Sequence, residues 1–305
     1  MVRCFCGERA VFNLEGRPLC RKHFTEWLKG EVRKELERFV GRDVLAVAVS
    51  GGKDSTTLLE ISHEWARERG IKLFGIMVDE GIEGYRDRTR AFLENFCSSR
   101  GIELHVYEFR KEFGATLDEL VERRDRKGLD IQACTICGTL RRYLLNKYAR
   151  ELGATKILFA HNLDDEIQTF FMNLFTGNLA QASRKGELAG VIEHELFVIR
   201  FKPLIRIPEK ATAVYSLLRF PELPEVECPY LKESLRYRMR RFVFELENRI
   251  PGAKRRILEV YLEKILPLLR ENARKFQKPL QRCSICGEPA SREICKACEL
   301  RMKLL

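Results

Sequence analysis

The sequence predicts an α/β fold with a doubly wound parallel sheet at its centre. Short apolar runs of β-prone residues alternate with segments of helical periodicity, and a glycine ends several of those segments. The first run, Val44–Val49, is apolar without interruption, as expected for a strand buried on both faces of a parallel sheet. A glycine-rich turn and a helical pattern follow it, which completes a first strand–turn–helix unit.

The remaining elements continue this alternation along the chain. The predicted strands are 44–49, 72–78, 103–109, 156–160 and 197–201, and the predicted helices are 31–40, 56–69, 86–99, 140–152 and 165–175. The proline-rich stretch 203–229 is expected to carry the chain out of the core. Two long helical patterns, 232–248 and 252–275, follow it, and cysteine-bearing segments flank the whole.

Composition favours a protein that binds a polyanion away from membranes. The 305 residues include 55 Lys and Arg against 44 Asp and Glu, a charge of +11 that fits a nucleic-acid partner or an ion-paired, thermophile-like surface. No apolar run approaches the roughly 20 residues that span a bilayer. Residues 1–8 lack the apolar centre of a signal peptide, so we expect a cytoplasmic location. Eleven cysteines then indicate metal or sulfur chemistry rather than disulfides.

The turn after the first strand has the composition of a phosphate-binding loop. Its residues are Ser50, Gly51, Gly52, Lys53, Asp54 and Ser55, and we call them the phosphate loop. The glycines let the backbone approach an anion, and the following helix offers unpaired amides and the positive end of its dipole. Lys53 is expected to offset phosphate charge, the two serines to donate hydrogen bonds, and Asp54 to hold Mg²⁺.

Two later strand ends are expected at the same edge of the sheet. Residues 78–81 end the second strand, and the backbone of Val78 and Gly81 is predicted to contact adenine, although a plain turn has the same spacing. Residues 161–166 follow the strand at 156–160. Their acidic side chains, Asp165 among them, fit helix capping, Mg²⁺ binding or general-base catalysis.

Three central cysteines form a set with an open coordination position. Cys134 and Cys137 are spaced as C-x-x-C, and Cys228 follows far along the chain. The pattern fits a redox pair, half a zinc site, part of a cluster or three buried thiols. Three thiolates leave a zinc ion or a [4Fe–4S] cluster one ligand short, which favours chemistry with sulfide or substrate. Cys97 lies in an apolar helix and is interpreted as a core thiol.

The ends of the chain carry two candidate zinc sites. The C-terminal site consists of Cys283, Cys286, Cys295 and Cys298, and the N-terminal site of Cys4, Cys6, Cys20 and His23. Each is predicted to hold one structural Zn²⁺ and to stabilise a segment too small for its own core.

A basic helix predicted after Cys228 is a candidate RNA-binding surface. Its side chains are Arg236, Arg238, Arg240 and Arg241, with the aromatic residues Tyr237 and Phe242 between them. Guanidinium groups suit phosphate contacts and an aromatic ring suits stacking on a displaced base, whereas the alternative is a solvated basic face.

Four segments together resemble the TtuA family of tRNA 2-thiouridine synthetases, PP-loop ATP pyrophosphatases related to wobble-uridine thiolases. They are residues 50–55, 134–142 (CTICGTLRR), 161–166 and 228–230, and the likeness spans nearly the whole chain. It implies an adenine nucleotide alpha hydrolase-like fold and a [4Fe–4S] cluster on Cys134, Cys137 and Cys228. It also implies ATP contacts at Arg141 and Ala160, and catalytic roles for Lys53 and Asp165. The first pair here is C-x-C, whereas that of the family resembles C-x-x-C, so Cys4 is the weakest predicted zinc ligand.

The resemblance implies a reaction as well. ATP would adenylate the 2-oxygen of a tRNA uridine, and hydrosulfide on the open iron would replace that oxygen and release AMP. The implied partners are tRNA, a sulfur donor that is a ubiquitin-like thiocarboxylate protein or free sulfide, and a second copy in a homodimer. Open alternatives are cytidine 2-thiolation, a cluster-free persulfide mechanism on Cys134 and Cys228, and a non-catalytic zinc-dependent RNA-binding protein. Whether a wobble or a T-loop uridine is modified also stays open.

These interpretations predict four units. They are an N-terminal zinc-binding module at 1–30, a PP-loop ATP-binding catalytic domain at 31–225, a helical tRNA-binding extension at 226–278 and a C-terminal zinc finger at 279–305.

Overall fold

The computed structural model describes residues 2–184, 186, 188–189, 196–273 and 280–305. The strands are β1 (Ala10–Leu14), β2 (Arg17–Cys20), β3 (Val44–Val49), β4 (Lys72–Asp79), β5 (Leu104–Glu108), β6 (Lys156–Phe159), β7 (Leu188–Ala189), β8 (Ile199–Phe201), β9 (Gln281–Arg282) and β10 (Pro289–Ala290). The helices are α1 (Arg21–Leu36), α2 (Lys53–Arg69), α3 (Arg86–Arg100), α4 (Phe109–Phe113), α5 (Leu117–Arg126), α6 (Ala133–Glu151), α7 (Leu163–Phe175), α8 (Leu179–Ala182), α9 (Glu209–Arg219), α10 (Leu235–Arg249), α11 (Ala253–Val260), α12 (Leu266–Ala273) and α13 (Lys296–Leu304). A 3₁₀ turn spans Pro229–Glu233 and a π-helical turn spans Tyr261–Ile265.

A six-stranded sheet forms the centre of the molecule. Its order is β5-β4-β3-β6-β8-β7, and every neighbouring pair is parallel except β7 with β8. The order reverses direction at β3, so β4 and β6 flank β3 and leave a crevice at their carboxyl ends. The predicted doubly wound parallel sheet is therefore confirmed.

Helices cover both faces of this sheet and bury two apolar cores. The first core contains side chains of α1, α2, α3 and α9. The second contains side chains of α4, α5 and α6 and of residues 280–305, which we call the C-terminal module. Since both faces are covered, β3 and β4 are apolar along most of their length, as Val44–Val49 suggested.

Three predicted elements differ from the structure. Helix α1 begins at Arg21 rather than at residue 31, because Phe24, Leu28, Val32 and Leu36 place a buried side chain on one face every four residues. Helix α6 begins at Ala133, so the C-x-x-C lies inside a helix rather than before one. The stretch 203–229 does not simply leave the core, because it contains α9, which packs on α2 and buries Ala211 and Tyr215.

The C-terminal half packs its helices around α7. Helices α10 and α11 both contact α7, and their apolar side chains Val243 and Leu258 form a third small core with Ile167. The Tyr261 hydroxyl donates a hydrogen bond of 2.7 Å to the Ala182 carbonyl, which joins the π-helical turn to α8. The end of the predicted helix 252–275 lies outside the described residues. Within the described part of the chain, no helix has the length and apolar character needed to cross a membrane.

Candidate active site and metal centres

The phosphate loop lies at the carboxyl end of β3 and is closed by its own serines. The Ser50 amide donates to the Ser55 hydroxyl at 3.1 Å, and the Ser55 hydroxyl also contacts the Gly52 carbonyl at 3.1 Å. Gly51 has a φ of +75°, and a Cβ there would overlap the Thr89 carbonyl oxygen of α3. The loop therefore has the conformation that glycine alone adopts without strain, with Gly52 as the N-cap of α2.

Lys53, the first residue of α2, lies between two carboxylates. Its Nζ is 2.7 Å from Asp54 Oδ2 and 2.9 Å from Glu209 Oε1. Burial opposes its charge, but the two carboxylates outweigh burial and raise the pKa of Lys53. The ammonium group is thus held charged at the mouth of the loop, where phosphate oxygens would replace its carboxylate partners.

Asp54 connects the loop to two other elements. Its Oδ1 accepts hydrogen bonds from the Thr212 hydroxyl of α9 and, at 3.2 Å, from the Asn162 amide group. Its Oδ2 has Lys53 as its partner. Since Oδ1 already has two donors, Oδ2 is the oxygen with a lone pair left for a cation.

Asp165 lies in the first turn of α7, across the crevice from the phosphate loop. It forms a reciprocal capping box with Asn162, and its Oδ1 is 3.3 Å from Arg236 Nη1. Burial raises the pKa of Asp165 to about 6; Arg236 opposes this rise, and the charges of Asp54 and Glu209 add to it. The carboxyl therefore changes protonation close to neutral pH, which suits a general base.

A buried ion pair joins the phosphate loop to the central cysteines. Glu80, at the end of β4, is 2.5 Å from Arg86, and the two side chains are 0% and 2% exposed. Arg86 also donates to the Ser50 carbonyl at 2.7 Å. On its other side, the Glu80 carboxylate is 3.4 Å from Arg141 and 3.8 Å from the Cys137 sulfur. The loop and the cysteines are thus two ends of one polar network.

The three central cysteines, which we call the thiol triad, are brought together from distant parts of the chain. Cys134 and Cys137 lie one turn apart on α6, and Cys228 is the N-cap of the 3₁₀ turn that packs against α6. Cys134 Sγ lies 3.8 Å from the Tyr230 carbonyl, and all three thiols are free. Burial, with Glu80 second, raises the pKa of Cys137 to about 12, and burial raises the pKa of Cys228 as well.

Both terminal modules bring their predicted ligands together. In each set the four ligand atoms lie within 4.8 Å of one another, and in the part of the chain that the structure describes no other group does so. Cys4, the weakest prediction, has its sulfur 3.3 Å from His23 Nδ1. Against the effect of burial, backbone amides lower the pKa of Cys283 to about 6. Four converging thiolate and imidazole ligands are the donor set of structural zinc.

The remaining predicted nucleotide contacts lie at the same edge of the sheet. Val78 is buried near the end of β4, Gly81 follows β4, and Ala160 follows β6. The Gly81 amide donates to Asp79 at 2.9 Å. Arg141 projects toward Glu80 from α6. All of these residues therefore surround the crevice that contains the phosphate loop.

The basic helix α10 is divided between the crevice and the surface. Arg236 donates to Asp165 and to Thr169, and Arg240 lies 2.6 Å from Glu209. Arg238 and Arg241 are exposed. Half of the predicted RNA-binding arginines thus contact carboxylates of the candidate active site.

Sequence reasoning missed four residues that hold this site together. They are Glu80, Arg86, Glu209 and Thr212. Glu80 was within reach, since it ends a strand at the edge where ligands bind. Glu209 and Thr212 come from a helix that the proline-rich pattern concealed.

Comparison with known proteins identifies the family. A model of the PP-loop domain matches residues 25–211. The tRNA 2-thiolation protein NcsA of Haloferax volcanii is 32% identical, over 97% of this chain and 96% of the relative. The tRNA-5-methyluridine(54) 2-sulfurtransferase of Thermus thermophilus is also 32% identical, over 98% and 91%. The chain belongs to the PP-loop family of tRNA 2-thiolation proteins.

A solved structure of this family matches the whole fold. It is the U34-tRNA thiolase NcsA from Methanococcus maripaludis with its [4Fe–4S] cluster, 29% identical, with a TM-score of 0.82. The match covers 100% of this chain and 97% of that one. The family and the PP-loop fold predicted from the sequence are both confirmed.

Gly51 and Gly52 offer a matched test of the phosphate-loop geometry. The substitution Gly51→Ala should lower the free energy of unfolding by about 2 kcal/mol, because it adds left-handed strain and overlap with Thr89. Gly52→Ala should lower it by only about 0.5 to 1 kcal/mol, the cost of alanine at an N-cap, since φ is −93° and the new methyl would lie 3.5 Å from Ser50 Oγ. Urea denaturation measures both, and equal unfolding midpoints would contradict this geometry.

Proposed function

We propose that this protein is an ATP-dependent tRNA sulfurtransferase that adenylates a uridine at its 2-oxygen and replaces that oxygen with sulfur. The observation that carries the proposal is the network Ser50–Arg86–Glu80–Cys137, which joins a phosphate loop to three free thiols within one crevice. A nucleotide site alone would fit many activities, and three thiols alone would fit many metals. A nucleotide site and three thiols in one crevice fit a reaction in which ATP activates the substrate and sulfur then attacks it.

ATP is held by the phosphate loop and the strand ends beside it. Backbone amides at the start of α2 contact the phosphates, and Lys53 exchanges its carboxylate partners for phosphate oxygens. Asp54 Oδ2, freed from Lys53, is the natural ligand for Mg²⁺ on the departing pyrophosphate. Glu209 receives Arg240 as its remaining partner, so its charge stays balanced.

Adenylation requires a base as well as a phosphate site. When the uridine 2-oxygen attacks the α-phosphate and pyrophosphate leaves, the proton on N3 of the base must be removed. We assign this proton to Asp165, since its raised pKa lets it accept a proton near neutral pH. Arg236 orients this carboxylate through its contact with Oδ1.

The thiol triad has the donor chemistry of a three-cysteine [4Fe–4S] site. Its sulfurs come from separate segments and are free, and they do not close around a single ion as the terminal groups do. A [4Fe–4S] cluster held by three thiolates supplies one iron that is open to hydrosulfide. Arg141 and Arg86 lie beside Cys137 and partly offset the burial and the Glu80 charge that raise its pKa. Attack of sulfur on C2 expels the former 2-oxygen on AMP, which completes the exchange.

The proposed substrate rests on this chemistry and on the relatives, and the sulfur donor and the homodimer rest on the family resemblance. The substrate is tRNA, as in the relatives, whose printed names place the reaction at U34 in one case and at position 54 in another. The sulfur donor is a ubiquitin-like thiocarboxylate protein or free sulfide, and the protein acts as a homodimer. Eleven free cysteines fit a reducing compartment, so we place the protein in the cytoplasm.

Anaerobic reconstitution tests the proposal directly. Cluster-loaded protein with unmodified tRNA, ATP and sulfide should produce AMP and 2-thiouridine, mapped by mass spectrometry. Lys53→Met should abolish both products because it removes the charge at the loop. Lys210→Met removes an exposed charge one residue from Glu209 and should leave turnover within about twofold of the parent. Formation of 2-thiocytidine would identify the cytidine enzyme instead, and tRNA binding without AMP would reject catalysis.

Iron analysis separates the cluster from a persulfide mechanism. Cys228→Ser should bring iron and labile sulfide to background while two zinc ions per chain remain, since the terminal sets are separate. Cys97→Ala, which changes a buried thiol outside all three cysteine sets, should retain iron, zinc and activity. A wild-type protein that is active without iron would exclude the cluster.

The pH profile tests the role of Asp165. Because the carboxylate is the active form, the single-turnover rate should rise with pH through about 6 and then level off. Asp165→Asn should lower that rate by about 10²- to 10⁴-fold and remove this inflection. Arg236→Gln should move the inflection to higher pH, since Arg236 lowers the pKa of Asp165. An inflection unchanged in both variants would assign the base elsewhere.

A further inference from the structure

A cavity of about 170 Å³ lies outside the site described above, where α6, β8 and the C-terminal module meet. Its walls include Thr139, Arg142 and Tyr143 of α6, Arg200 of β8, and Glu288 and Lys296 of the module. None of these residues contacts the phosphate loop.

Two arginines of this cavity have no carboxylate partner in the part of the chain that the structure describes. Among the described residues, no acidic group forms an ion pair with Arg142 or Arg200. Glu288, the one carboxylate among the described wall residues, pairs with Arg150, whose Nη1 is 3.0 Å from Oε2. Asn146 donates to that same oxygen at 3.4 Å. Glu288 therefore neutralises Arg150 rather than Arg142 or Arg200.

The two arginines also repel each other. Loss of nearby water, together with the charges of Arg141 and Arg200, lowers the pKa of Arg142 to about 10, although part of its side chain stays exposed to solvent. Burial likewise lowers the pKa of Arg200. Both groups stay charged at neutral pH, and no carboxylate among the described wall residues pairs with either of them. Lys53 in the crevice differs, since two carboxylates lie beside it.

The donor set matches a tetrahedral oxyanion. Guanidinium groups bind phosphate through parallel hydrogen bonds, and two of them facing one cavity match its several oxygens. The hydroxyls of Thr139 and Tyr143 have no partner among the described residues, and Lys296 is exposed at the rim. The cavity volume of about 170 Å³ is sufficient for one phosphate group with a few waters.

We propose that this cavity binds a backbone phosphate of the RNA substrate and anchors it between the C-terminal module and the core. The assignment rests on the proposed function for the identity of the RNA. Arg142 lies on α6, the helix that carries Cys134 and Cys137, so an anchored strand passes beside the thiol triad. The charge of +11 favours a polyanion over an isolated ion as the source of the phosphate.

The salt dependence of tRNA binding tests this assignment. Full-length protein with its metals is compared with R142Q/R200Q and with a control, R110Q/R126Q, which removes two exposed charges from α4 and α5. For R142Q/R200Q the affinity should fall about tenfold, and the slope of log K against log salt should become shallower by roughly 0.7 to 0.9, the value for one phosphate. The control should keep the parent slope.

Three further readouts separate the explanations. R142Q/R200Q should melt no lower than the parent, because it relieves repulsion; a large drop would show a structural role and overturn the proposal. The second readout is calorimetry with inorganic phosphate. If R142Q/R200Q loses phosphate binding but keeps the parent salt dependence of tRNA binding, the cavity binds free phosphate and the RNA contact is rejected. ATP affinity should be equal in all three proteins. Since tRNA binding is measured without turnover, failure of thiolation would leave this test intact.

Discussion

The buried ion pair between Glu80 and Arg86 is the constraint on which the candidate active site depends. Breaking such a pair costs about 3 to 5 kcal/mol because one charge stays buried, yet the intact pair adds little net stability over an apolar pair. The pair therefore fixes the positions of neighbouring groups rather than adding to the net stability of the fold. Arg86 fixes the Ser50 carbonyl at the end of β3, and Glu80 reaches Arg141 and Cys137 on α6. Two functional groups on separate elements are thus held in one geometry by a single carboxylate.

Local patterns predicted the fold and the loop well for a physical reason. A strand buried on both faces must be apolar along its length, and a glycine with φ of +75° leaves few alternatives at Gly51. The start of α1 was also present in the four-residue spacing from Phe24, which its position among cysteines obscured. The terminal ligand sets follow from spacing in the same way, since short knuckles keep their sulfurs close.

The contacts of α9 could not be predicted from local sequence patterns. Nothing around Glu209 marks it as a partner of Lys53, since the two residues are 156 positions apart and meet only after α9 packs on α2. The same holds for Thr212 and Asp54. Acidic and hydroxyl residues at the start of a helix are common for reasons of capping, so the local signal is shared with many helices that have no such role.

The arginines of α10 show how RNA capture and nucleotide chemistry share their charges. Arg236 and Arg240 pair with Asp165 and Glu209, and Glu209 also pairs with Lys53. A polyanion that draws Arg236 away leaves Asp165 more basic, which favours removal of the uridine proton, and one that draws Arg240 away leaves Glu209 to Lys53 alone. The proposed RNA-binding helix is thereby part of the electrostatics of the candidate ATP site. Arg142 and Arg200 differ because no acid among the described residues pairs with them, so an anion would meet no competing carboxylate from that part of the chain.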